Sequence, residues 1–379
     1  MKIGIVLYPT YGGSGVVATE LGMALAKKGH EIHFITYSLP IRLDEFGENI
    51  FYHEVRILDY PLFYYKPYEL VLTSKLVDVV KHENLDLLHV HYAIPHASAA
   101  YMAKQILKTE GIHIPFITTL HGTDITLVGK DSSFEPVITF AMNESDAVTA
   151  VSKDLKKETL THFAVNRHIE VIPNFINPEH YSTKPAENLK KKYAPNGERI
   201  LVHISNFRRV KRVGDVSHVF AKLRERIPCK LIYVGDGPER PNIEQLCRKL
   251  GTCNDTEFLG KLRGIDQILA LADLFVLTSE TESFGLAALE AMASNVPVIS
   301  TNAGGLPEVV EHGISGFLSN VGDIDDMVEN AYTILKSDET LANFRKNANA
   351  RAHDFHLDKI LPQYENLYAR VVESNMIRE

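Results

Sequence analysis

Short, unbroken apolar runs recur along the chain, each followed by a stretch with helical periodicity. The first run is "KIGIVLY", continuous rather than alternating, which is how a strand buried on both faces reads. "GGSG" follows, then "VVATELGMALAKKGH", where Val17, Leu21 and Leu25 recur at four-residue spacing on one helical face. Gly29 closes that helix and "EIHFITY" begins the next strand. Strand, helix and strand in this order predict a βαβ unit and hence a parallel sheet. "LDLLHVHY", "PFITTLHG" and "DAVTAVS" continue the series. Each ends in polar residues, at the carboxyl edge where α/β sheets place their ligands.

The segment "VIPNFINPEHYSTKP" is rich in Pro and Asn and lacks periodicity, so it reads as a linker. A second series follows: "RILVHISNF", "CKLIYVGDG", "TEFLG", "LFVLTS" and "PVISTN", separated by helical stretches. The last segment, "LDKILPQYENLYARVVESN", has the pattern of an amphipathic helix. The expected fold is α/β, with two Rossmann-like parallel-sheet domains facing a ligand cleft. The expected boundaries are 1–172, a linker at 173–185, 186–355, and a C-terminal helix at 356–379 that packs back on the N-terminal domain.

Composition narrows the function. The 379 residues are 45% apolar, enough for two cores. A net charge of −8 argues against a broad surface for nucleic acid or anionic membrane. No apolar run reaches the roughly 18 residues that span a bilayer, and the N-terminus reads as a first strand rather than a signal peptide. Cys229, Cys247 and Cys253 lack CxxC spacing and read as reduced thiols. A cytoplasmic location is the expectation, and a homo-oligomer is compatible with the sequence.

The candidate chemistry gathers at strand ends. In "SETESFGLAALEAMAS", Glu282 falls in the turn after a strand and Glu290 inside the following helix. The amides of Ser283, Phe284 and Gly285 lie at that helix's N-terminus, a favourable place for a phosphate, and Gly285 allows close backbone approach. Glu290 tilts back toward the same end and suits a sugar hydroxyl. Acids near a helix N-terminus are also favoured in any helix, which is the bland alternative. "SNFRRVKRV" sets Arg208, Arg209, Lys211 and Arg212 after another strand, as cations for a diphosphate or as a solvated basic loop. "GGSG" opens the first helix, so Gly13, Ser14 and Gly15 form an anion site or simply a tight turn. Tyr92 and Thr119 are placed after strand ends on the same rim, and Arg42 is a further carboxylate candidate. His89 and His91 share a strand face, where packing and cleft lining are favoured over metal binding. Asp323 and Asp325 read as a helix cap and dipole partners rather than metal ligands.

Taken in order, these motifs resemble the GT-B glycosyltransferases of family 4, a retaining group. The resemblance is carried by Glu282 and Glu290 as an E-x7-E pair, the "GDGPE" loop from Gly235 to Glu239, and "GGLPE" from Gly304 to Glu308. The "HGTD" turn from His121 to Asp124 and the turn from Gly12 to Gly15 complete it. "YPTYGGSGVVATELG", "HVHYAIPHA", "TTLHGTDIT" and "HISNFRRVKRV" are similar to the branch that joins N-acetylglucosamine to L-malate, the opening reaction of bacillithiol biosynthesis.

The resemblance implies UDP-N-acetylglucosamine as donor and L-malate as acceptor; no cofactor or metal is expected, since basic side chains and helix amides can replace a divalent ion at the diphosphate, and the charge and composition leave no expectation of a nucleic-acid or membrane partner. It implies that Glu290 holds the ribose, that Glu282 and the backbone at Ser283, Phe284 and Gly285 meet the donor sugar, and that Lys211 contacts the diphosphate. The family's arginine usually stands where this chain has Asn206, and Arg208 is its substitute. Backbone near Gly260 would read the uracil. His121 would lie near sugar and acceptor, and Lys211, His121 and Glu282 form the catalytic set. The acceptor would sit at Gly13, Ser14, Gly15, Tyr92, Thr119 and His121. Retaining members are thought to attack from the front face, the leaving phosphate taking the acceptor's proton. Alternatives are a family 4 transferase with a sugar or lipid acceptor, a UDP-N-acetylglucosamine 2-epimerase, and a non-enzymatic nucleotide-sugar sensor.

Overall fold

The structure, a computed structural model, describes residues 1–10, 13–43, 47–57, 65–127, 129, 131–181, 186–262 and 264–377. Two compact units emerge: Met1–Asn174 together with Asp358–Glu379, and Phe175–Leu357. The first unit holds β1 (Lys2–Val6), β2 (Glu31–Thr36), β3 (Ile50–Glu54), β4 (Leu87–His91), β5 (Phe116–Leu120), β6 (Ala147–Ala150) and β7 (Ile169–Val171). Their order is β3-β2-β1-β4-β5-β6-β7, with every adjacent pair parallel. The second unit holds β8 (Arg199–Ile204), β9 (Cys229–Val234), β10 (Thr256–Phe258), β11 (Leu274–Leu277), β12 (Val298–Thr301) and β13 (Gly316–Ser319). Their order is β10-β9-β8-β11-β12-β13, again all parallel.

The apolar runs are strands because both sheet faces are covered. Ile3, Ile5 and Val6 of β1 are wholly buried, as are Leu274, Phe275 and Val276 of β11. Val17, Leu21 and Leu25 of the helix Gly13–Lys27 are buried as their spacing predicts. That helix lies so close to β2 that a Cβ on Gly22 would meet the Phe34 ring at 2.4 Å. Among the described residues, no helix is long and apolar enough to cross a membrane.

Three strands carry no clear sequence signal: β3, β7 and β13. β3 and β13 lie at sheet edges, and β7 closes the other edge of the first sheet. In β3 no residue is fully buried, so nothing forced an apolar run there. The Pro-rich segment is more embedded than a solvated linker. Phe175 and Ile176 are buried, and Ile176 exchanges backbone hydrogen bonds with Phe355 and Leu357.

The helix Leu357–Met376 buries Ile360, Leu361, Tyr364, Leu367, Tyr368 and Val371, a stripe at three- and four-residue spacing. It belongs to the first unit. The Tyr368 hydroxyl is 2.8 Å from His89 Nδ1 of β4, and Arg370 pairs with Glu170 at 2.6 Å. The buried Tyr368–His89 bond should therefore matter to that unit's stability. Tyr368→Phe leaves His89 Nδ1 without its partner and should cost about 1–3 kcal/mol. Urea unfolding of the purified chain reads this; an unchanged midpoint would show that the bond contributes nothing net.

Candidate active site

In the first unit, neighbouring strands wind in opposite directions between β1 and β4, and the loops after these strands separate there. Ser14, at the start of the helix after β1, lies with its Oγ 2.6 Å from the Tyr92 hydroxyl after β4. Gly15 must be glycine, since a Cβ would meet the Tyr8 carbonyl oxygen at 2.5 Å. Tyr92 adopts φ 99°, a left-handed value that costs a bulky residue on the order of 1–3 kcal/mol. That backbone turns the ring toward Ser14, beside Tyr8 and His121, each with centroids 5.4 Å away. Tyr8, Tyr68 and His96 extend the aromatic wall, with Tyr8 and His96 at 4.5 Å. Gly12, expected in the same turn, is outside the described residues.

His121 follows β5 and lies with Nε2 2.8 Å from His91 Nδ1. Burial, reinforced by the neighbouring His96, pushes its pKa down to about 3; His89 falls likewise to about 3 through burial and His121. These imidazoles are neutral at physiological pH, so they serve as hydrogen-bonding groups rather than as cations. Asp124 of the "HGTD" turn is the brace of this region. Its Oδ2 accepts the Ala93 N–H at 2.9 Å and its Oδ1 the Gly122 N–H at 3.0 Å. One carboxylate thus ties the loop after β4 to the loop after β5. Burial raises its pKa to about 6, against the opposing pull of those N–H bonds.

Two expectations need correction. Thr119 lies inside β5, not after its end, and is fully buried. Its hydroxyl sits 2.7 Å from both His89 Nε2 and Thr149 Oγ1, so it positions strands rather than facing the rim. Arg42 already meets a carboxylate, that of the chain's own buried Glu20.

In the second unit the winding reverses between β8 and β11. The loop after β8 is fastened to the loop after β11: the Thr278 hydroxyl donates to the Lys211 and Arg212 carbonyls at 3.0 Å, and Glu280 N–H to Val210 at 2.8 Å. This brings Lys211 Nζ to 2.5 Å from Glu282 Oε2, which also accepts from Ser279 Oγ at 3.1 Å. Arg212 is engaged with Asp215 at 2.7 Å, while Asn206, Arg208 and Arg209 are exposed on the same loop. Beneath it, His203 Nδ1–H donates to the Val276 carbonyl at 2.8 Å, which leaves Nε2 to accept from Ser205 Oγ at 2.8 Å. The "GDGPE" glycines allow backbones to touch: a Cβ on Gly237 would meet the Asn206 carbonyl oxygen at 2.1 Å.

Gly285 has φ 100°, and a Cβ there would strike Leu306 at 2.6 Å. Its glycine character is thus required by the protein's own packing. The Phe284 ring is buried against Phe355, so its side chain is taken up by the core. Glu290 is 8% exposed and accepts from the Tyr181 hydroxyl at 2.9 Å. Tyr181 carries no sequence signal, since only the fold brings positions 181 and 290 together. The Gly260 carbonyl already accepts from Gly235 N–H at 2.8 Å. Asp323 caps the helix Ile324–Leu335 through Asp326 N–H at 3.1 Å, and Asp325 pairs with Lys222.

Comparison with known proteins agrees with this division. Residues 11–180 match the family described as Glycosyltransferase Family 4, and residues 185–351 match Glycosyl transferases group 1. Among solved structures, the sucrose-phosphate synthase of Thermosynechococcus elongatus superimposes with a TM-score of 0.81 at 20% identity, covering 99% of this chain and 100% of that one. Anabaena HepE, solved with UDP and glucose, gives 0.80 at 21% identity, covering 97% and 99%. The N-acetyl-alpha-D-glucosaminyl L-malate synthase of Bacillus anthracis is 48% identical over 377 residues, 99% of this chain and 98% of that protein. With two parallel-sheet units of GT-B type and a relative so similar from end to end, the chain belongs to the family 4 glycosyltransferases.

Proposed function

We propose that the chain transfers N-acetylglucosamine from UDP-N-acetylglucosamine to the hydroxyl of L-malate, with retention at the anomeric carbon, as the first step of bacillithiol biosynthesis. The observation that carries this reading is the end-to-end likeness to the Bacillus anthracis enzyme of that name. The local chemistry is consistent with it.

On the donor side, Glu290 holds the ribose hydroxyls, its carboxylate oriented by Tyr181. Lys211 and Arg208 face the diphosphate, Asn206 lies beside them, and backbone near Gly260 reads the base. Glu282 and the backbone at Ser283, Phe284 and Gly285 hold the sugar. On the acceptor side, one malate carboxylate lies at the amides of Gly13, Ser14 and Gly15, where a helix N-terminus favours an anion. Ser14 and Tyr92, already joined, add hydroxyl donors. Neutral His121 orients the attacking hydroxyl.

In the reaction the bond from the anomeric carbon to the diphosphate oxygen breaks as the malate oxygen bonds on the same face. The malate hydroxyl proton passes to the departing phosphate oxygen. Charge accumulates on the diphosphate, so Lys211 contributes most in the transition state. Its ion pair with Glu282 holds the ammonium in place before the donor arrives.

The direct test is UDP release from UDP-N-acetylglucosamine by the purified chain, with L-malate or other hydroxy acids, in the presence of EDTA. Release should depend on malate and persist on chelation. Epimerisation without acceptor, or release only with sugar or lipid acceptors, would overturn the reading. Activity lost in EDTA and restored by magnesium would overturn its metal independence.

Lys211→Met should reduce turnover by on the order of 10²–10³ while melting temperature holds, the scale of losing one transition-state donor. Normal turnover would remove Lys211 from the diphosphate. Ser14→Asp sets a like charge against the malate carboxylate. It should raise KM for malate while UDP affinity, read by isothermal titration, stays unchanged. Near-normal malate kinetics would place the acceptor elsewhere; lost UDP binding would mean the two substrates' half-sites have been exchanged.

A further inference from the structure

The outer strand pair of the first sheet carries a cluster that the transferase reading does not use. Strands β2 and β3 pair in parallel, with His33 opposite Phe51 and Ile35 opposite His53. Period-two alternation then puts Glu31, His33, Phe51 and His53 on one face of the sheet. The helix Tyr68–Glu83 lies over that face and ends at Glu83. His33 is fully buried, and His53 and Glu83 are half-buried. One ligand-capable atom from each of these three lies within 4.8 Å of the other two.

The ring orientations are specific. His33 Nε2 is 3.1 Å from Glu31 Oε1, and Glu31 is itself held by Lys2 Nζ at 2.8 Å. A carboxylate only accepts, so His33 carries its proton on Nε2 and presents the lone pair of Nδ1 inward. That lone pair faces His53 Nε2 at 2.9 Å. A carboxylate on the outer nitrogen of a histidine is the usual support of a metal-bound imidazole.

We propose that His33 Nδ1, His53 Nε2 and the Glu83 carboxylate bind a divalent cation of the zinc type, with water as the fourth ligand. Two imidazoles and one carboxylate form a donor set that suits zinc. With zinc–nitrogen bonds of about 2.0–2.1 Å, a tetrahedral site separates the two nitrogens by about 3.3 Å, so the observed pair needs to open by only about 0.4 Å. The role is structural. The ion would fasten the edge strand β3 to β2 and to the end of the covering helix. It is independent of the acceptor's identity and of the chemistry at Lys211.

The test uses the full chain, stripped with chelator and dialysed against zinc chloride, with bound metal counted by atomic emission and cobalt as an optical probe. One zinc per chain should bind, cobalt should give the visible bands of a tetrahedral site, and the melting temperature should rise while malate-dependent UDP release stays constant. His53→Gln and Glu83→Gln should each weaken zinc at least tenfold and abolish the thermal shift, with circular dichroism unchanged. Glu31→Gln, which removes the carboxylate behind His33 together with its ion pair to Lys2, should weaken zinc by about 10–100-fold. No zinc retained by the folded wild-type chain would overturn the proposal and leave a hydrogen-bonded histidine pair. Equal zinc binding by wild type and both ligand variants would overturn it too, placing the metal elsewhere.

Discussion

A parallel sheet forces every connection to return from the carboxyl edge of one strand to the amino edge of the next. Loops at the carboxyl edge can separate only where the winding direction reverses. In this chain that happens between β1 and β4 and again between β8 and β11. Two side-chain pairs follow from it. Ser14 and Tyr92 meet over the first reversal, and Lys211 and Glu282 over the second. Each pair joins residues about 70 or more positions apart in sequence, yet each is set by loops from only two strands.

The two pairs have different electrostatic surroundings. Around the first lie tyrosine hydroxyls, imidazoles that burial keeps uncharged and the amides of a helix N-terminus, with the Asp124 carboxylate turned to the Ala93 and Gly122 N–H groups. On the proposed function such a surface meets the acceptor's carboxylate with hydrogen-bond donors rather than with a fixed cation. The second carries formal charge, held as the Lys211–Glu282 ion pair. The strain at Tyr92 and the twin bonds of Asp124 are the structural counterpart. Both fix the position of groups before any ligand arrives, which lowers the ordering cost of binding.

How much of this was legible in the sequence depended on which force set each residue. Strands buried on both faces wrote continuous apolar runs, so β1, β4, β5, β8 and β11 could be read directly. Edge strands did not: β3 mixes half-buried and exposed positions with His and Glu among them. Residues whose type is dictated by strand-end geometry, such as Gly15, Ser14 and Glu282, also left a pattern. Partners made by tertiary contact left none. Nothing at position 181 announces a bond to Glu290, and nothing in "HGTD" tells that Asp124 braces two loops. Thr119 was misread because a threonine near a strand end looks the same whether it faces the rim or a buried neighbour.

The glycines show the same limit from the other side. Gly285 suggests room for a ligand, and the helix start beside it strengthens that impression. The structure gives its missing side chain to Leu306, while Gly304 and Gly305 press against the backbone of Glu282 and Ser283. These contacts lock the loop that carries Glu282 onto the next loop of the sheet. The consequence is chemical as well as structural. With its loop held in this way, Glu282 lies between Lys211 Nζ and Ser279 Oγ. An ammonium has three protons to give and Glu282 takes one direction. On the proposed function the other directions remain for the diphosphate, and the anionic neighbour then limits how strongly its ground state is held. Charge that grows only during bond breaking gains more from the same lysine, which is the difference a catalyst needs.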